Sequence, residues 1–310
     1  MTIAGVTREL LVRYLDVWTP AALHSAKRVT FAYAWSGSDG RDGRARTSDQ
    51  NESHAAAAEA ALRGFAEFDD LLRARKLTYL VVGPDIGVGA HLQRVQAELR
   101  TPANLAVHAV DGEPEHLLAA AMTAAGSAGA PLLVYADVAA PVAGLHRAGR
   151  PVEQIAVLPA GDWARQRDTL HGNGFTLTTG VEFLAADGDA RLVSLATDRA
   201  NSLDAFKNAL WSVDEYAGVR YRDPTDPDGH LQDISLEPHP GPLRRALLGQ
   251  LDTAGPQTVT QLRHFALAET IYRASDATRV ISALRHAGAI TSDAPHGRLS
   301  GDVVVARAAN

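Results

Sequence analysis

Residues 77–110 read LTYLVVGPDIGVGAHLQRVQAELRTPANLAVHAV, and this stretch decides the fold. LTYLVV (77–82) and LAVHAV (105–110) are short apolar runs rich in β-branched residues. Between them lie a glycine turn and a helical stretch, 90–99. A strand, turn, helix and strand in that order predict parallel pairing through a right-handed crossover. The alternation continues with a helix over 114–125 and the strands PLLVYAD (131–137) and VEQIAVLP (152–159). TLTTGVEFLA (176–185) and ARLVSLATD (190–198), joined around Asp187-Gly188-Asp189, predict a hairpin appended at the sheet edge. Residues 1–235 are therefore expected to form one doubly wound, Rossmann-like α/β domain. Ligands in such a domain sit beyond the carboxyl ends of the strands.

Upstream, Leu10, Leu11, Tyr14, Leu15 and Trp18 have the spacing of an amphipathic helix over 7–26, with Pro20 expected to interrupt or restart it. VTFAYAW (29–35) reads as a buried strand, 36–53 as a long polar loop, and 54–75 as an alanine-rich helix. Downstream, YRDPTDPDGH (221–230) and the prolines of EPHPGP (237–242) mark a boundary. Helices are expected at 243–251, 260–269 and 276–287, the last stopped by Gly288. A tail of two short strands follows. Three helices and a hairpin predict a small winged-helix domain over 236–310.

The chain has no cysteine, which removes disulfides, iron–sulfur clusters and thiol nucleophiles. No apolar run approaches the roughly 20 residues needed to span a bilayer, and the N-terminus lacks a signal-peptide pattern. A cytoplasmic protein without a membrane partner is expected. Net charge is −6. Residues 241–310 hold eight arginines against five acids, a net of +3, which leaves −9 for the residues before them. That asymmetry suits a nucleic-acid-binding appendage, though +3 is far below a strongly basic domain.

Gly83, Gly87 and Gly89 have the G-x-x-x-G-x-G spacing of a dinucleotide phosphate turn. The Tyr-x-x-x-Lys that should accompany it is missing: Tyr135 is followed by Ala139 at the lysine position, and no lysine lies between Lys76 and Lys207. The glycines read as an ordinary βα turn. No H-E-x-x-H, G-x-S-x-G or G-x-x-x-x-G-K-[ST] motif occurs, and Trp163 and Trp211 read as core. In the C-terminal segment Arg273, Arg279 and Arg285 lie on or beside the third helix, with Arg298 in the wing. These are the positions from which a winged helix meets DNA or RNA. A pure protein-interaction role is the equal alternative, since Asp276 weakens the positive field.

Several segments in order resemble the three-Cys-motif partner (TcmP) family. TRELLVRYLDVW (7–18) is similar to its first helix, FAYAWSGSD (31–39) to its first strand and loop, and ARLVSLATDRANSLDAFKNALWSVD (190–214) to its closing strand and helix. The resemblance implies a class I methyltransferase-type Rossmann domain, a C-terminal winged helix, and a protein partner encoded nearby. It places the S-adenosylmethionine site at Tyr33, Gly37, Asp39, Val82, Gly83 and Asp111, with Asp137 as the catalytic position. Tyr33 stands where the family has Asp, Asp39 where it has Gly, and Val82 where a carboxylate would hold the ribose hydroxyls. A degenerate site is expected, with cofactor use lost or greatly altered. The chain would then serve as a partner-binding scaffold, and a homodimer is expected. The alternatives are an active methyltransferase on nucleic acid, and a winged-helix DNA-binding regulator whose large domain senses a small molecule.

Overall fold

The computed structural model describes residues 2–38, 47–84, 86–146, 149–213, 218–294 and 299–308. Asp39 and Arg298, both expected at sites, lie outside the described residues. The main sheet has nine strands: β1 (Arg28–Trp35), β2 (Lys76–Gly83), β3 (Leu105–Asp111), β4 (Leu132–Asp137), β5 (Val152–Pro159), β6 (Leu177–Ala185), β7 (Ala190–Thr197), β8 (Val219–Arg222) and β9 (Leu231–Asp233). Their order is β3-β2-β1-β4-β5-β7-β6-β8-β9. The first five are parallel and the last four antiparallel. This is a doubly wound sheet of the class I methyltransferase type, and its winding direction reverses between β1 and β4, where such sheets open a crevice.

The inner parallel strands β1, β2, β4 and β5 are buried on both faces over most of their length, while the edge strand β3 is largely exposed, and the two faces of the sheet differ in side-chain size. Phe31, Tyr33, Trp35, Tyr79 and Tyr135 point to the side of α1 (Ile3–Ser25), α2 (Ser48–Ala66), α4 (Ile86–Leu99) and α7 (Ala200–Trp211). Phe31 packs there against Phe65 and Tyr79, both with ring centroids 5.3 Å away. Ala32, Ala34, Leu80, Val82 and Ala136 face α5 (Pro114–Ala124) and α6 (Trp163–Gly172). No helix is described between β4 and β5; an irregular connection passes over the α5 side instead.

Several expectations are corrected. Pro20 does not interrupt α1, because Thr19, Ala22 and Leu23 are buried around it and hold the helix on the core. α2 begins at Ser48 rather than in a polar loop, started by a capping box in which Thr47 and Gln50 bond each other's backbone. It ends at Ala66, ahead of a short α3 (Asp69–Leu72). α6 was not anticipated; only Trp163 and Leu170 of it are buried, so its apolar period is faint. The β6–β7 hairpin is not at the sheet edge, because β8 pairs with β6 and β9 with β8. Residues 223–230 are thus a hairpin loop rather than a linker.

The C-terminal segment holds α8 (Gly241–Ala254), β10 (Gln257–Thr258), α9 (Val259–Glu269), α10 (Ala274–His286), β11 (Ile290–Ser292) and β12 (Val304–Arg307). Its strands form a separate antiparallel sheet in the order β10-β12-β11. Leu243, Leu262, Ile281 and Val305 belong to the same buried cluster as the main sheet. Polar clamps reinforce that junction. Trp211 Nε1 donates to Ile271 O at 2.9 Å, Ile271 N donates to Asp223 Oδ2 at 3.0 Å, and Arg167 forks onto both Glu269 oxygens at 2.7 and 2.8 Å.

Candidate functional site

The crevice lies where β1, β2, β3 and β4 end. Gly37 follows β1, and its N–H is taken by the Glu113 carboxylate, at 3.2 Å to Oε1 and 3.1 Å to Oε2. The Ser36 hydroxyl donates to Glu115 Oε1 at 3.0 Å, and Ser36 N donates to Asp137 O at 3.0 Å. Both glutamates come from the start of α5, so the loop after β1 is tied down to that helix.

Trp35, the last residue of β1, is 1% exposed and stacks on His54 at 5.2 Å with 13° between the planes. Its indole lies across Gly83, where a Cβ would fall 2.3 Å from Trp35 Cε2. Gly83 is therefore glycine to admit an aromatic ring, not a phosphate. Gly89 is comparable: its Cβ would meet Ala109 Cβ at 2.9 Å, a close helix–strand contact. These two glycines of the phosphate-turn spacing serve packing.

Tyr33 stacks on Tyr135 at 5.0 Å with 4° between planes, and its hydroxyl lies 2.9 Å from His54 Nδ1. His54 Nε2 is 3.6 Å from Asp137 Oδ2. The second approach is longer than a hydrogen bond, so the ring is held chiefly through Nδ1 to Tyr33. The result is a buried Tyr33–His54–Asp137 line bridging β1, α2 and β4. Of the positions expected to touch a cofactor, Tyr33, Gly37 and Gly83 converge here, together with the expected catalytic position, Asp137. Val82 is buried on the opposite face, against α5, and Asp111 is exposed at the end of the outer strand β3. His54, Glu113 and Trp35 were missed, since nothing local to them marks a site.

The described residues of the crevice fit S-adenosylmethionine poorly. The cofactor needs open space above the turn after β2, an acceptor there for its ribose hydroxyls, and free N–H groups after β1 for its own carboxylate. The indole fills the first, Val82, Gly83 and Pro84 offer no side-chain acceptor for the second, and Glu113 takes the Gly37 N–H of the third; Asp85 and residues 39–46 lie outside the described residues. A carboxylate at that place also repels the incoming carboxylate. The filling has a cost: Trp35 Nε1 is buried without a partner among the described residues, which costs about 1–3 kcal/mol.

Of the C-terminal arginines expected to meet nucleic acid, Arg273 is turned inward, whereas the Arg279 side chain is exposed. Arg273 is 8% exposed and forks onto Asp276 at 2.9 Å through both Nε and Nη2, with Nη2 also donating to Leu236 O at 2.7 Å. A guanidinium so placed holds α10 onto the chain entering the segment. Arg279 Nη2 donates to Asp276 Oδ1 at 3.0 Å, and Arg285 Nη1 to Ala294 O at 3.3 Å.

Away from the crevice, Lys207 and Glu153 are shifted. Burial pushes the Lys207 ammonium down to about 7, opposed by Asp223, Asp204, Glu269 and Asp276. Burial raises the Glu153 carboxyl, which accepts from Ser202 Oγ at 2.6 Å and from the Tyr14 hydroxyl. Among the described residues one trio brings metal-ligand atoms together: Asp226, Asp228 and His230, within 4.8 Å of one another on the β8–β9 loop. The Arg245 guanidinium, 3.3 Å from His230 Nδ1, already supplies positive charge there. No described helix is long and apolar enough to cross a membrane.

No family model matches the chain, and no curated protein matches it. Among solved structures it is similar to the METTL16 methyltransferase domain, at 10% identity and TM-score 0.32, over 59% of this chain and 66% of that one. It is similar to the delta-N METTL16 methyltransferase domain at the same identity and score, over 61% and 83%. A third is the Listeria monocytogenes protein lmo1582, named for the class I S-adenosylmethionine-dependent methyltransferases, at 10% identity and TM-score 0.32 over 64% and 63%. The first and third matches span less than two thirds of those chains. At this likeness the strand order, not the neighbours, carries the fold.

Proposed function

We propose that this chain is a methyltransferase-type scaffold whose cofactor cleft is filled by its own side chains, and that it acts by binding a partner protein. One observation carries the reading: the Trp35 indole lies over Gly83 while Glu113 takes the Gly37 N–H. Filling a crevice with stacked aromatics turns a binding site into core, and a rigid core suits a surface that must present a fixed shape. The resemblance to the three-Cys-motif partner family supports a protein partner. So does the C-terminal segment, which we read as a winged helix. Arg273 and Arg279 are engaged with Asp276, which favours a protein-facing module over one that reads a nucleic-acid groove.

The test is thermal unfolding with and without S-adenosylmethionine, followed by anisotropy of labelled duplex DNA at low salt. A protein holding its cofactor at a Kd one hundredth of the added concentration gains about 2.7 kcal/mol. No gain, and no saturable DNA binding, is expected. A gain of that size would overturn the filled cleft, and salt-dependent DNA binding lost in Arg279→Ala would overturn the protein-facing module.

A further inference from the structure

At the opposite end of the sheet from the crevice, where β4 and β5 begin, lies a cavity of about 510 Å³, within the range of small-molecule sites. α1 lines it through Val17, Trp18 and Ala21, β5 through Glu153, and the chain entering α7 through Arg199. Glu153 is 3% exposed, and its carboxyl accepts one neutral hydroxyl on each oxygen, from Tyr14 and from Ser202. A carboxylate oxygen has two lone pairs, so one remains on each. Arg199 uses its backbone N–H, which donates to Thr197 Oγ1 at 3.1 Å. Its guanidinium has no hydrogen-bond or ion-pair partner among the described residues. Glu153 feels the Arg199 charge, yet no ion pair joins the two. Two opposite charges therefore face one cavity without meeting, an arrangement that costs free energy until each is paired. Val17, at the mouth, is 50% exposed, one of three large apolar side chains so exposed among the described residues.

We propose that this cavity binds a free α-amino acid with a large apolar side chain, its ammonium on Glu153, its carboxylate on Arg199 and its side chain on Val17, Trp18 and Ala21. The charges select a zwitterion. An anion would satisfy Arg199 and be repelled by Glu153, and a cation the reverse. The guanidinium fork matches a carboxylate, and an ammonium has three donors for the lone pairs that Tyr14 and Ser202 leave on Glu153. Burial raises the Glu153 carboxyl, and an ammonium beside it opposes that shift. The cavity shares no residue with the filled cleft, so its failure would leave that reading standing.

The probe is L-leucine titrated into the full chain by calorimetry, followed by L-phenylalanine, glycine, leucinamide and N-acetylleucine. Leucine and phenylalanine should each bind one to one. Glycine should bind about tenfold more weakly or worse, because it buries no side chain. Leucinamide lacks the carboxylate and N-acetylleucine the ammonium, so each should bind at least about tenfold more weakly than leucine, having lost a charge-assisted hydrogen bond. Arg199→Gln should bring leucine down to the affinity of leucinamide. Ala21→Trp fills the cavity from α1 and should abolish binding. Both positions are exposed, so neither substitution unfolds the protein. No binding of leucine or phenylalanine, leucinamide binding as tightly as leucine, or binding unaffected by Ala21→Trp overturns the proposal.

Discussion

Lys207 offers the sharpest quantitative check on how the C-terminal segment is attached. It sits on α7 with its ammonium fully buried, donating to Ala266 O at 3.0 Å and to the carbonyls of Leu267 and Thr270. The neutral amine keeps two donors, and Ala266 O is also served by the Thr270 hydroxyl at 2.7 Å, so losing the proton leaves the α9 carbonyls partnered. That is why burial can win and bring the pKa from the usual 10.5 to about 7. The sign follows directly. Between those values the unfolded chain binds the proton and the native chain does not, so stability rises with pH. At 1.36 kcal/mol per pKa unit, native stability should gain about 3 kcal/mol from this residue between pH ~7 and pH ~10. Lys207→Met removes that gain, and leaves Leu267 O and Thr270 O short of a donor at a cost of about 1–3 kcal/mol each. The assay is urea unfolding of both proteins across the pH range, read as the difference between them. A difference that widens with pH is expected. One that stays flat would refute the depressed pKa, and one that is near zero throughout would refute the clamp.

Three further outcomes follow from other contacts. Gly83→Ala places a methyl in the Trp35 ring, which His54 backs on its other face, so unfolding free energy should fall by about 1–3 kcal/mol; an unchanged urea midpoint would mean the indole lies elsewhere. Asp276→Ala strands the buried Arg273 guanidinium and should cost about 3–5 kcal/mol in the same assay, against little change if Arg273 were a solvent-facing nucleic-acid contact. Burial raises the Glu153 carboxyl, so its contribution to stability is full at acid pH and falls as pH rises through the native pKa. Glu153→Gln should flatten that part of the stability profile, and an unaltered profile would count against the buried Tyr14–Glu153–Ser202 cluster.

The parallel half of the sheet was legible because its strands are short, mostly apolar runs separated by turns and helical stretches, and β5 lies at the residues its sequence marks, Val152–Pro159. Elements with mixed signals were not. Hydrophilic α6 buries only two side chains, and β8 and β9 flank a Pro- and Asp-rich turn that reads as a linker. The crevice was legible as a place: Tyr33, Gly37, Gly83 and Asp137 do converge at the strand ends. What fills it was not. Gly83 is understood only once Trp35, 48 residues earlier, is seen lying on it. Glu113 reaches the crevice from the N-cap of α5 and His54 from the second turn of α2, with no local motif. Arg273 misled for a related reason: a basic residue beside a third helix looks like a groove contact until Asp276 and Leu236 O are found around it.

The central claim is that the chain's own side chains occupy the cofactor cleft. It is tested most directly by calorimetric titration of the wild-type protein with S-adenosylhomocysteine. No binding heat at millimolar ligand is the predicted result. A saturable one-to-one isotherm with a micromolar Kd would contradict it, because ligand could enter only if Trp35 and Glu113 were out of the cleft.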